Sequence, residues 1–192
     1  MYLPSDDSIL LVNCIKGYHG NLALDIGVGS GIVTRTLCQN FKYVAGTDIV
    51  IETLKSCKES VASYRQSSIN EISKPDMGFE LICTDAASAF RTSLFDLIVS
   101  NPPYLPDDYD NERKKIRDRT IYGGPTGIEL TLHIIRSSLS ALRRDGRLVT
   151  IVSSLSDVSS LYQLTHQLNL SIKKMAQKKM FFETVSVIEI RF

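Results

Sequence analysis

No apolar run in the sequence approaches 18 residues, so no stretch reads as a membrane-spanning helix. There is no Cys-x-x-Cys pair: Cys14, Cys38, Cys57 and Cys83 lie far apart. That argues against an internal zinc site and suits buried thiols in a reducing compartment. Charge of one sign is not in excess. The formal net charge is +1 at pH 7, which offers no broad basic footprint for nucleic acid. The start has no signal-like leader, because Asp6 and Asp7 interrupt it. No repeat or low-complexity tract occurs, and His19, His133 and His166 fall in no metal-ligand spacing. The chain of 192 residues is 43% hydrophobic, enough for one domain over residues 1–192 and hardly enough for two.

The most informative stretch is Ser100-Asn101-Pro102-Pro103-Tyr104. It follows Phe95-Asp96-Leu97-Ile98-Val99, an apolar run that reads as a buried parallel strand. Neither proline can donate to a strand ladder, and each pushes its predecessor toward extended geometry. A stiff corner at the carboxyl end of a strand is expected, where open α/β sheets bind ligands. The Asn101 side-chain oxygen and the Pro102 carbonyl can each accept one N–H of an incoming NH2 group. Holding both hydrogens draws a planar nitrogen toward tetrahedral geometry and aims its lone pair at an electrophile. Tyr104 can cover the corner. Alone, Asn-Pro-Pro also reads as an ordinary loop.

Residues 9–15 form a helical pattern, with Asp6 or Ser8 as N-cap. Leu22-Ala23-Leu24-Asp25-Ile26 reads as a strand, followed by Gly27-Val28-Gly29-Ser30-Gly31 and a helix over 32–38. The pattern is D-x-G-x-G-x-G, whereas dinucleotide sites prefer G-x-G-x-x-G. Asp25 would repel a pyrophosphate and welcome an ammonium group. A second strand ends in Asp48, placed to accept ribose hydroxyls or to cap the helix 51–63. A third, Phe79-Glu80-Leu81-Ile82-Cys83, ends at Thr84-Asp85. Singly, each acid reads as a cap or turn residue. Three on successive strand ends, beside a glycine turn, are harder to explain that way.

Residues 105–120 are the most charged stretch, expected as a loop that grips a macromolecular substrate or merely faces solvent. Gly123-Gly124-Pro125-Thr126-Gly127 reads as a turn and 128–142 as an amphipathic helix. Asp145-Gly146 reads as a turn into a strand over 147–152, and 155–168 as the last helix. Two strands, 170–174 and 185–192, are expected to close as an antiparallel hairpin.

Together these pieces resemble the class I S-adenosylmethionine-dependent methyltransferases. More narrowly, Asn101-Pro102-Pro103-Tyr104 resembles the signature of the HemK-like release-factor glutamine N5-methyltransferases. Tyr2-x-Pro4-x-Asp6-Asp7-Ser8 is similar to the opening segment of the eukaryotic and archaeal branch, and Gly123-Gly124-x-x-Gly127 to a later family motif. The resemblance implies a Rossmann-like α/β fold with a mostly parallel seven-stranded sheet and an antiparallel last strand. It implies a catalytic set of Asn101, Pro102, Pro103 and Tyr104. For the S-adenosyl-L-methionine site it implies Ser8, Asp25, Gly27, Gly29, Gly31, Asp48, Asp85, Ala86 and Asn101, with no metal.

The implied acceptor is the Gly-Gly-Gln glutamine of a class I translation termination factor. The implied partner is a small zinc-binding activator that adds a strand along 79–83, forming a heterodimer. Bacterial relatives carry an extra helical domain for which this length has no room, so the small eukaryotic or archaeal type is expected, in the cytoplasm or also the nucleus. Rival expectations are an enzyme of this fold acting on nucleic-acid amino groups or lysine, a nicotinamide oxidoreductase, and a non-catalytic platform of the same fold. The near-neutral charge argues mildly against the first, and the glycine spacing against the oxidoreductase.

Overall fold

Two strands that touch only in three dimensions set the layout: β1 (Gly20–Ile26) and β4 (Phe95–Ser100) lie side by side in parallel. The computed structural model describes residues 5–67, 78–107 and 121–192. The other strands are β2 (Phe41–Asp48), β3 (Gly78–Cys83), β5 (Leu142–Ser153), β6 (Ser171–Lys179) and β7 (Thr184–Arg191). They form one sheet in the order β3-β2-β1-β4-β5-β7-β6. The first five are mutually parallel, while β7 runs antiparallel to β5 and β6. This is the expected Rossmann-like methyltransferase sheet. The order reverses between β1 and β4, a topological switch point whose carboxyl-end crevice is where such sheets hold ligands.

Alternation along each strand decides which helices cover which face. Leu97 and Val99 pack toward α1 (Asp6–Ile15), α2 (Ile32–Asn40) and α3 (Ile51–Ser67), in a core with Leu11, Leu37 and Cys57. Ile98 faces the opposite way, toward α4 (Glu129–Ala141) and α5 (Val158–Gln167), with Ile135 and Leu161. Each such fully buried aliphatic side chain contributes roughly 1.5–3 kcal/mol of hydrophobic stabilisation.

Several expected boundaries move, β6 running to Lys179 and α3 to Ser67 among them. Helix α1 begins at Asp6 with Ser5 at the N-cap, so Asp6 and Ser8 lie in its first turn and neither is the cap. Asp145-Gly146 does not turn the chain. It sits inside β5, which starts at Leu142 directly after α4 and absorbs the extra residues in a register shift opposite Phe95 and Leu97. Helix α5 starts at Val158, not residue 155, because the Asp157 carboxylate accepts the Ser159 and Ser160 N–H groups. The charged stretch 108–120 and the polar stretch 68–77, with Tyr2 and Pro4, lie outside the described residues.

Candidate active site

Sheet register brings the two motifs together. Asp25 is paired with Val99 and Ile26 with Ser100, so the glycine turn and the Asn101 corner leave neighbouring strands side by side. The Ser100 hydroxyl donates to the Ile26 carbonyl at 2.9 Å and ties the two ends. Strand β2 closes the other flank, its Thr47 carbonyl accepting the Gly27 and Val28 N–H groups at 2.8 and 3.2 Å.

The corner is held on three sides. The Pro102 ring is buried. The Tyr104 carbonyl accepts from Ser156 Oγ at 2.6 Å, and the Tyr104 ring packs half-buried against the α1 side of the core. Its hydroxyl donates to Asp7 Oδ2 at 3.2 Å, so the ring is pinned by the opening helix. Asn101 Nδ2 also points to that helix, 3.0 Å from Ser8 Oγ and 3.4 Å from Asp7 Oδ2. Ser8, expected at the cofactor, thus touches the acceptor corner.

Gly123 and Gly127 form the outer buttress. A Cβ at Gly123 would lie 2.5 Å from the Pro103 carbonyl oxygen, and one at Gly127 2.5 Å from that of Tyr104. Backbone therefore packs on backbone, tied by Gly123 N–H to Leu105 O at 2.9 Å. Gly127 also has φ +77°, a left-handed conformation that a side chain disfavours. Gly127→Ala is expected to destabilise the fold by about 2–4 kcal/mol and to slow turnover by shifting the corner. Urea unfolding read beside activity checks this; an unchanged midpoint would contradict the backbone packing.

Around the glycine turn, Gly27 has φ +77° and nothing within 4 Å of where a Cβ would sit. A side chain is excluded by conformation while space stands open, the signature of a backbone cradle for a ligand. Asp25, beneath the turn, is 1% exposed and accepts from Thr34 Oγ1 at 2.5 Å. Burial pushes its carboxyl up to about 7, partly opposed by the Thr34 bonds. Asp48 is half-buried and also raised by desolvation, offset by the N–H groups of Val50, Gly29 and Ile49. Asp85 lies past the end of β3, where its carboxylate meets His133 Nε2 of α4 at 2.9 Å. The next residue, Ala86, is buried with φ +45°, a non-glycine conformation that concentrates at functional turns.

Every expected site residue therefore lies on the carboxyl rim of the sheet or the helix beside it. Sequence reasoning gave no role to Thr34, His133 or Asp7. Thr34 carries a faint signal, one helical turn after Gly31. His133 carries none, its partner being 48 residues away. Asp7 belongs to the opening-segment motif, and only the fold shows what its carboxylate reaches.

Known proteins agree with this architecture. A chain of the E. cuniculi Mtq2–Trm112 complex, responsible for methylating the eRF1 translation termination factor, superposes with a TM-score of 0.74 at 22% identity, covering 99% of this chain and 97% of that one. A Methanocaldococcus jannaschii protein named for N5-glutamine methyl transfer is 27% identical over 98% of this chain and 90% of its own length. A Dictyoglomus turgidum release factor glutamine methyltransferase is 30% identical over 80% of this chain. The chain spans about half of that bacterial protein, 54% of its length. Residues 6–182 match the family model of the methyltransferase small domain, and the chain belongs to that methyltransferase family.

Proposed function

We propose that the chain methylates the side-chain amide of a protein glutamine, that of the Gly-Gly-Gln tripeptide in a class I translation termination factor, using S-adenosyl-L-methionine. One observation carries the reading: a carboxamide whose nitrogen is already engaged, Asn101, sits beside an open glycine cradle on the paired strand. Among the described residues nothing donates to its oxygen, which can accept from an incoming NH2. The methyltransferase relatives support the donor and the acceptor.

The residues fit the donor. The cradle at Gly27 and Gly29 gives backbone approach while Gly31 packs on Cys57, no cation pairs with the buried Asp25 carboxyl among the described residues, and Asp48 and Asp85 offer acceptors for hydroxyl and amino groups. Bound there, S-adenosylmethionine supplies an electrophilic methyl on a sulfonium. The protein's part is to hold and orient. Asn101 Oδ1 and the Pro102 carbonyl each take one N–H of the glutamine amide, which weakens conjugation into its carbonyl and directs the lone pair. The two acceptors stabilise the positive charge that develops on nitrogen, and the proton leaves to water afterwards. No protein acid need be protonated. The test is mass spectrometry of the termination factor after incubation with the enzyme, its activator and labelled donor. Absence of a methyl on the Gly-Gly-Gln glutamine, with label on an adenine-containing duplex instead, would overturn the acceptor.

The activator reading has its own support at the sheet edges. The β6 edge carries Lys173, Lys174, Lys178 and Lys179, all exposed, a common way to blunt an edge strand. The β3 edge has only Glu80 and lies beside exposed Ile49, Val50 and Ile51 at 65%, 45% and 52%. A groove of about 320 Å³ runs there between α3 and β3, lined by Ile51, Leu54, Phe79 and Leu81 and rimmed by Lys55, Lys58 and Glu80. A small zinc-binding subunit adding a strand to β3 would cover this apolar surface. Ile49→Asp with Ile51→Asp is expected to abolish co-purification with that subunit at unchanged circular dichroism. Undiminished capture would remove β3 as the docking edge.

A further inference from the structure

An asparagine corner works only if its carboxamide faces the right way. Rotation by half a turn about the last side-chain bond exchanges oxygen for nitrogen. A nitrogen facing an incoming NH2 sets donor against donor and forfeits the hold. Some group must therefore choose the orientation, and hydroxyls cannot, because each is both donor and acceptor.

We infer that Asp7 is the positioning residue that makes this choice. Asp7 is 8% exposed, in the first turn of α1, 94 residues before its partner in the chain. Its carboxylate can only accept. Oδ2 takes Asn101 Nδ2–H at 3.4 Å and the Tyr104 hydroxyl at 3.2 Å. Oδ1 takes the Ser8 backbone N–H at 2.7 Å and the Ser5 hydroxyl. With the Ser5 proton committed to Asp7, Ser5 Oγ is left to accept from Ser8 Oγ, 3.3 Å away. The Ser8 proton is then committed too, and Ser8 Oγ has a lone pair for Asn101 Nδ2 at 3.0 Å. Both hydrogens of the Asn101 amide end on groups whose polarity one carboxylate dictates, one directly and one through two serines. The oxygen is turned to the side of the acceptor. Tyr104 is locked by the same atom, so the two ends of the corner are set together.

The inference rests on the reading that Asn101 Oδ1 accepts from the substrate amide, and a donor–acceptor swap tests it. Asp7→Ala and Asp7→Asn are expected to slow single-turnover methyl transfer by about 10- to 100-fold with donor affinity nearly unchanged, the range for loss of one aligned catalytic contact. Asn101→Asp sets two carboxylates face to face and should be slower still. The double variant Asp7→Asn/Asn101→Asp restores complementarity: the introduced amide donates to the introduced carboxylate, whose second oxygen faces the substrate. It should transfer methyl at least tenfold faster than Asn101→Asp alone. A merely structural role for Asp7 predicts no such recovery. Wild-type turnover in folded Asp7→Ala, or a folded, donor-binding double variant no faster than Asn101→Asp, overturns the inference. Should the wild type methylate no glutamine, the function fails separately. The Asn101 side-chain amide protons then still decide: slow exchange with solvent in the wild type, lost in Asp7→Asn, supports Asp7, and equal exchange in both overturns it.

Discussion

Asn101→Ala is expected to lower the rate of methyl transfer by about 10³-fold, the scale seen when a preorganised partner of the reacting group is removed, and to leave donor affinity within about twofold. A glutamine NH2 shares its lone pair with its own carbonyl, so it attacks slowly unless something draws both hydrogens out of that plane. Two acceptors are needed, and the backbone carbonyl of Pro102 survives the substitution while the side-chain oxygen does not. One remaining hydrogen bond orients but does not pin. On the proposed reading the donor is held chiefly elsewhere, by the turn after β1 and by Asp48 at the end of β2. The prediction is therefore a fall in the single-turnover rate at saturating donor, measured with labelled methyl, while calorimetry reports near-native donor binding. Full transfer by Asn101→Ala would remove the pinning mechanism. The Asn101 amide also holds Ser8 at 3.0 Å, so a thermal scan belongs beside the assay to separate catalysis from a loosened α1.

The second large effect is in pH. Asp25 is buried beneath the glycine turn with Thr34 as its hydrogen-bond donor, and burial lifts its carboxyl to about 7. A carboxylic acid raised above its unfolded value binds a proton in the native state that the unfolded chain has released. Stability of the ligand-free protein therefore falls as pH rises from about 4 to 7 and levels off above. Donor binding has the opposite slope. An ammonium group near Asp25 favours the carboxylate, so below pH 7 binding must first displace the proton. Affinity should rise by about 50-fold from pH 5 to pH 7, close to tenfold per unit well below 7 and less near it, and then flatten. Asp48 is raised in the same direction and adds a smaller share, being half-buried and already bonded by three backbone N–H groups. Calorimetry in buffers of different ionisation enthalpy should find a proton released per donor bound at pH 6 and almost none at pH 8.5. Asp25→Asn is the control. It removes the buried charge, so it should raise the melting temperature at pH 8 by several degrees, at about 2–4 °C per kcal/mol for a chain of this size. It should also weaken donor binding and flatten its pH profile. An affinity that ignores pH in the wild type would mean that Asp25 carries no ammonium.

Much of the site could be read one strand at a time. Each acid stands at the end of a run of apolar residues, and the glycine turn and the Asn-Pro-Pro corner announce themselves by what their backbones cannot do. Local stiffness is written in local composition. The errors have equally physical causes. Asp145-Gly146 has the composition of a turn, yet β5 pairs beside it with β4 and a register shift absorbs it. Ser5, not Asp6 or Ser8, stands at the start of α1, because Asp7 draws the neighbouring serines toward its own carboxylate. The contact between His133 and Asp85 joins α4 to the end of β3, and no periodicity in either segment announces it.

By itself the sequence determined the alternation of strands and helices, the stiffness of residues 101–103 and the chemical kinds of group at each strand end. Those depend on hydrophobic period, proline and glycine, which act over a few residues. Only the tertiary structure decided that β1 and β4 are neighbours, that a carboxylate in the first turn of α1 orients an amide 94 residues away, and that Asp25 is buried deeply enough to change its acidity. Register, orientation and desolvation are properties of packed surfaces, and they exist only once distant segments have excluded water between them.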